Sequence, residues 1–180
     1  MDRERCDVAD TPDFLTLNKN RDRSGRTEIY VRRTVLTLVA LLALAGLLNV
    51  FGQRPDTSQA AAPPASLKVY APSKVRGGLF YEARITVTAR ADVKDARLVL
   101  DSGWAEGITI NTVEPGPIGE ASVDGKLAFD LGHVKAGTSY ILFLQLQVNP
   151  TNVGHRAQDV ALYDADKFLT SVDRTVTVFP

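Results

Sequence analysis

The sequence predicts an all-β fold, two packed antiparallel sheets of seven to eight strands in total, preceded by one transmembrane α-helix. Three observations lead there. Residues 34–53, TVLTLVALLALAGLLNVFGQ, run without a charge. From Ser66 onward, apolar and polar residues alternate with period two. Clusters of Gly, Pro, Asn and Asp break that alternation about every 8–12 residues, the spacing of a β-sandwich.

Charge sets the first limits. The chain has 21 basic and 21 acidic residues and no net charge. Neither residues 1–33 nor residues 54–180 form a polybasic patch, which argues against nucleic acid as a partner. The single cysteine, Cys6, precedes the apolar run, so the β region must hold together by packing rather than by disulfides. A region of about 115 residues buries enough surface for that.

Residues 1–26 are polar and mixed in charge, and read as a disordered cytoplasmic tail. Residues 27–53 read as a juxtamembrane and transmembrane helix, with the membrane span at 34–53. At 1.5 Å per residue such a span reaches ~30 Å, the thickness of a hydrocarbon core. Its apolar residues lie all round the helix, unlike those of an amphipathic surface helix. Six basic residues fall between Lys19 and Arg33, whereas Arg54 is the only one between the span and Lys68. The positive-inside rule then places the N-terminus in the cytoplasm and the C-terminal domain outside the plasma membrane. A cleaved signal peptide is the rival reading, with small residues near Ala60. The apolar run exceeds the ~7–15 residues of a signal core, which favours an uncleaved anchor.

Residues 54–65 have a linker's Pro- and Ala-rich composition, and residues 66–180 form the extracytoplasmic domain. Leu67 to Tyr70 make a first short strand. Leu79 to Arg90 then put Tyr81, Ala83, Ile85, Val87 and Ala89 on one face and charged or hydroxyl residues on the other. Ala96, Leu98 and Leu100 repeat the pattern, and Ile108 and Ile110 mark another strand. Asp124-Gly125 between two alternating runs is a hairpin signal. Ser139 to Asn149 is the longest strand, with Tyr140, Leu142, Leu144, Leu146 and Val148 on its core face. Strands around Gln158–Tyr163 and Arg174–Phe179 follow, with a short one at Lys167–Ser171. One wet and one dry face on each strand imply an Ig-like antiparallel sandwich. The last strand, if at an edge, would be open to strand addition.

The run from Leu131 to Ser139, LGHVKAGTS, leads into the long strand and resembles a turn of bacterial conserved-repeat or CARDB-like Ig modules of cell-surface proteins. The resemblance covers most of residues 66–180 and implies a spacer, adhesion or protein-interaction domain without catalytic residues. A single copy on an N-terminal anchor departs from a long adhesin stalk and suits an accessory subunit.

No catalytic constellation stands out, so an enzyme is not expected and no cofactor is implied. His133 and His155 have no neighbouring ligands for zinc. Asp159, Asp164 and Asp166 have the oxygens for calcium but read more simply as an Asp-rich turn. Trp104, in a glycine-flanked loop, and Ile141 and Phe143, on the outward face of the long strand, are the candidate partner contacts. The expected role is structural or protein-binding, as an accessory subunit of a cell-envelope membrane assembly. The partners are the lipid bilayer and another membrane or envelope protein. The alternative is a module binding a surface polymer such as cell-wall glycan.

Overall fold

The computed structural model describes residues 26–50 and 52–180, which fall into two units divided after Val50. The expected tail, Arg26 excepted, lies outside the described residues, and so does Cys6.

The first unit is helix α1, Arg26–Leu47. Its 22 residues reach ~33 Å, and the stretch Thr27–Leu47 is long and apolar enough to cross a membrane. The helix ends earlier than residue 53, the boundary expected from the uncharged run. Asn49 takes a left-handed backbone with φ 53°. Its N–H donates to Gly46 O, and Val50 N–H reaches back to Ala45 O. This Schellman arrangement satisfies the last carbonyls and stops the helix, a constraint invisible to hydropathy.

The second unit is an all-β sandwich. One sheet takes β1 (Pro55–Ala61), β2 (Ala65–Pro72), β4 (Phe80–Ala89), β9 (Ser139–Val148) and β6 (Ile108–Glu114), in the order β1-β2-β4-β9-β6. The other takes β12 (Lys167–Val172), β11 (Val160–Asp164), β5 (Val93–Leu100), β8 (Lys126–Val134) and β7 (Gly119–Val123), in the order β12-β11-β5-β8-β7. A small third sheet, β10-β13-β3, joins β10 (Gly154–Ala157), β13 (Thr175–Phe179) and β3 (Lys74–Arg76).

Alternation decides which face is dry. Ala83, Ile85 and Val87 of β4 and Leu142, Leu144 and Leu146 of β9 are fully buried. They share one core with Leu98 and Leu100 of β5, Phe129 of β8 and Leu162 of β11. The third sheet adds Val75, Val176 and Val178 to it. At ~25 cal/mol per Å² of apolar surface, each such Val, Leu, Ile or Phe side chain contributes roughly 1.5–3 kcal/mol.

Two turns follow their residues closely. Asp124 and Gly125 both have positive φ, 52° and 75°, as a two-residue hairpin turn with right-handed twist requires. The LGHVKAGTS run forms the end of β8 and the connection to β9. Gly137 N–H donates to Ala89 O, Thr138 Oγ1 donates to Lys135 O, and Ala136 N–H donates to Asp92 Oδ1. The turn is thus fastened to the β4–β5 connection.

The described residues hold thirteen strands rather than seven or eight. Residues 55–61, expected to be linker, form β1 and pair along β2 from Pro55↔Pro72 to Ala61↔Ser66. Their side chains are mostly exposed, so the strand is built by backbone pairing and carries no alternating signature. The last strand is not an edge. β13 lies between β10, antiparallel, and β3, parallel, which leaves no open side for strand addition.

Candidate functional site

The outer face of the sheet containing β4 and β9 carries the most distinctive exposed chemistry. Strand register aligns Tyr70 of β2, Arg84 of β4 and Phe143 of β9 in one row, continued by Glu114 of β6. The Arg84 guanidinium stands 4.9 Å from the centre of the Phe143 ring and 5.8 Å from that of Tyr70. It is therefore held by two aromatic rings, each contact contributing about 0.5–1 kcal/mol at an exposed position. Glu82 Oε1 lies 3.6 Å from Arg84 Nη2, with both side chains about half exposed. That ion pair contributes little stability.

Neighbouring rows extend the surface. Lys68, Thr86 and Ile141 form the next row on one side, and Glu82, Gln145 and Thr112 the next on the other. Ile141 is 41% exposed and Phe80, farther along β4, is 64% exposed. Two of the contacts expected from sequence, Ile141 and Phe143, thus fall on this face. Tyr70 and Arg84 complete it, and sequence reasoning missed them. The available signal was their outward parity on strands already recognised.

Trp104 corrects the third expectation. It is fully buried, in a short 3₁₀ turn Ser102–Trp104, and is no surface contact. Its indole N–H donates to Asp159 O at 3.2 Å. The adjoining Gly103 packs so tightly on the Ala157 carbonyl that an added Cβ would collide with it. The glycines that suggest a loop tip instead let the turn press into the core, and the large apolar ring favours burial.

Around Trp104 runs a buried polar network. Arg174 donates to Ala71 O at 3.1 Å, Pro72 O at 3.0 Å and Gln158 Oε1 at 3.2 Å. Gln158 Nε2 donates to Tyr81 OH at 3.1 Å, and Asp159 Oδ1 accepts from the Arg174 N–H at 2.9 Å. Burial lowers the Arg174 pKa from its usual value, and the nearby Tyr81 and Asp56 work against that shift. The network joins β2, β4 and the segment between β12 and β13, so it acts as a structural tie.

The acidic trio does not converge. Asp159 precedes β11 and caps Arg174, while Asp164 ends that strand and accepts the Asp95 N–H. Among the described residues no group of three His, Cys, Asp or Glu side chains is placed to hold a metal ion. His133 lies on β8, 3.8 Å from Asp92, and His155 on β10, 3.0 Å from Thr177 Oγ1.

No family model matches the chain, so the resemblance to CARDB-like modules has no family match behind it. No curated protein matches it. Among solved structures the chain is similar to the crystal structure of the C-terminal domain of wzt, with 13% identity and a TM-score of 0.39, over 72% of this chain and 81% of that one.

Proposed function

We propose that this chain is a non-catalytic binding domain on a single-pass membrane anchor, and that it acts as an accessory subunit of an envelope membrane assembly. In this reading α1 spans the plasma membrane with its basic flank in the cytoplasm, and the sandwich faces outward. The observation that carries it is the Tyr70–Arg84–Phe143 row beside exposed Ile141. Tyrosine and arginine dominate the energetics of protein interfaces, because each brings large contact area and directed polar groups. One face of each ring is already taken by the guanidinium, which favours a protein surface over a sugar stacked on those rings.

The test is site-specific photo-crosslinking in native membranes. A photoreactive residue at position 141 should give one dominant adduct with a membrane or envelope protein. The same probe at Ile118, in the loop that leads into β7, should not give it. Arg84→Glu should remove the adduct while leaving the amount of folded protein unchanged. Equal labelling from positions 141 and 118, or an adduct indifferent to Arg84→Glu, would refute the assignment.

A further inference from the structure

The outer face of the second sheet carries a groove of different chemistry. Register aligns Ala161, Val99, Ala128 and Ala121 in one row across β11, β5, β8 and β7. Their strand neighbours Leu98, Leu100, Phe129 and Leu162 point into the core, so the row turns away from it, with Ala121 exposed, Val99 half-buried and Ala128 buried. A cavity of about 260 Å³ lies over Val99, bounded by Tyr163, Arg97 and Asp166 on one flank and by Val123 and Lys126 on the other. A second recess of about 400 Å³ continues past Arg97 to Asp95, Asp130 and Ile118.

The flanks are held in place. Phe168 meets the Tyr163 ring edge-on, with centroids 5.6 Å apart at 73°. Arg97 Nε donates to Asp130 Oδ1 at 2.6 Å, and its Nη1 lies 4.0 Å from Asp166 Oδ1. Lys126 Nζ is 3.1 Å from Asp101 Oδ1. Both cations are engaged by carboxylates, so the groove holds no surplus positive charge for a phosphate, sulfate or uronate. It offers an anchored aromatic ring, a low apolar floor, and guanidinium donors alternating with carboxylate acceptors.

We infer that this groove binds a neutral pyranose unit of a polysaccharide. A pyranose has an apolar C–H face suited to the tyrosine ring and to Val99 and Val123. Its hydroxyls both donate and accept, so adjacent ones satisfy a carboxylate and a guanidinium together. The first cavity is near the small end of the ~300–1,000 Å³ range of ligand sites and holds one sugar ring. The second recess gives the chain of sugars a way onward. The groove lies on the sheet opposite the Arg84 row, so this inference does not depend on the protein-binding reading.

The experiment uses the full chain in lipid nanodiscs. The probes are neutral tetrasaccharides of glucose, mannose, galactose and N-acetylglucosamine, with tetragalacturonate as the acidic comparison. Saturation-transfer NMR and calorimetry should show binding of at least one neutral probe, with saturation centred on ring C–H protons. Tyr163→Ala and Arg97→Ala should each weaken it by about tenfold or more, and Tyr163→Phe should retain it. Val123→Trp crowds the cavity from its exposed rim without touching the core and should block binding at an unchanged unfolding midpoint, which keeps the test valid if Tyr163→Ala misfolds. Arg84→Glu should leave saccharide binding intact. Failure of every neutral probe, binding of tetragalacturonate alone (an adventitious basic contact), or undiminished binding by Val123→Trp would overturn the inference.

Discussion

The guanidinium of Arg174 lies 5.4 Å from the centre of the Trp104 ring, where both side chains are buried. The cation is met by carbonyl oxygens and an aromatic face. Ala71 and Pro72 bring the end of β2 to it, so one side chain near the end of the sequence fixes a strand near the start of the domain.

Arg174→Ala should therefore cost the domain roughly 3–5 kcal/mol, because three buried acceptors lose their donor together. Arg174→Lys should recover only part of the loss, since an ammonium lacks the planar fork and stacks poorly. Urea unfolding of the full chain, followed by Trp104 fluorescence, measures both.

The same network gives an alkaline limit. Burial raises the Tyr81 pKa above that of an ordinary tyrosine, while the Gln158 hydrogen bond and the Arg174 charge lower it in part. Burial also raises that of Tyr140. Above roughly pH 10 the unfolded chain releases these protons before the folded one does, so stability falls as pH rises from there. Tyr81→Phe should lower stability by about 1 kcal/mol at neutral pH and flatten the fall above pH 10. Unfolding midpoints between pH 7 and 11 test the slope; an unchanged slope would remove Tyr81 as its source.

Gly103→Ala should be more damaging than its size suggests. The new methyl would meet the Ala157 carbonyl, a backbone atom that cannot turn aside. A loss of about 2 kcal/mol or more is expected, against near neutrality for Gly116→Ala, where nothing lies within 4 Å. Thermal melts of the two variants make the comparison.

Trp104→Ala should behave as a core deletion, costing about 3–5 kcal/mol. In the fraction that remains folded, crosslinking from position 141 should be unchanged. A stable variant with lost crosslinking would instead make Trp104 an interface residue.

Phe143→Ala should show the opposite profile. Its ring is half-buried and its contact with Arg84 is exposed, so the stability loss should stay near 1 kcal/mol. Crosslinking from position 141 should nevertheless fall severalfold.

The elements legible in the sequence are those whose side chains alternate against the core. β4 and β9 were readable residue by residue because Tyr81 to Ala89 and Leu142 to Val148 obey a period of two. The Asp124-Gly125 hairpin was readable because its backbone demands those residues. β1 was not, since Pro55 to Ala61 present no dry face and are ordered by their pairing with β2. β3 and β10, with three and four residues, are too short to show a period.

The site was legible to the same extent. Ile141 and Phe143 were visible as apolar residues on the wrong side of a strand. Tyr70 and Arg84 become partners only through register, which joins β2 to β4 and β4 to β9. The burial of Trp104 depends on Asp159 and Ala157, more than fifty residues away in sequence, and no local pattern encodes it.

The parallel pairing of Lys74 with Thr177 and of Arg76 with Phe179 has a kinetic consequence. β3 must wait for residues about a hundred positions later before it has any sheet to join. Closing so long a loop is entropically slow, and contacts of this kind lower folding rates. Val75 remains uncovered by that sheet until β13 arrives, so the growing chain carries an unfinished apolar seam while the intervening residues are made.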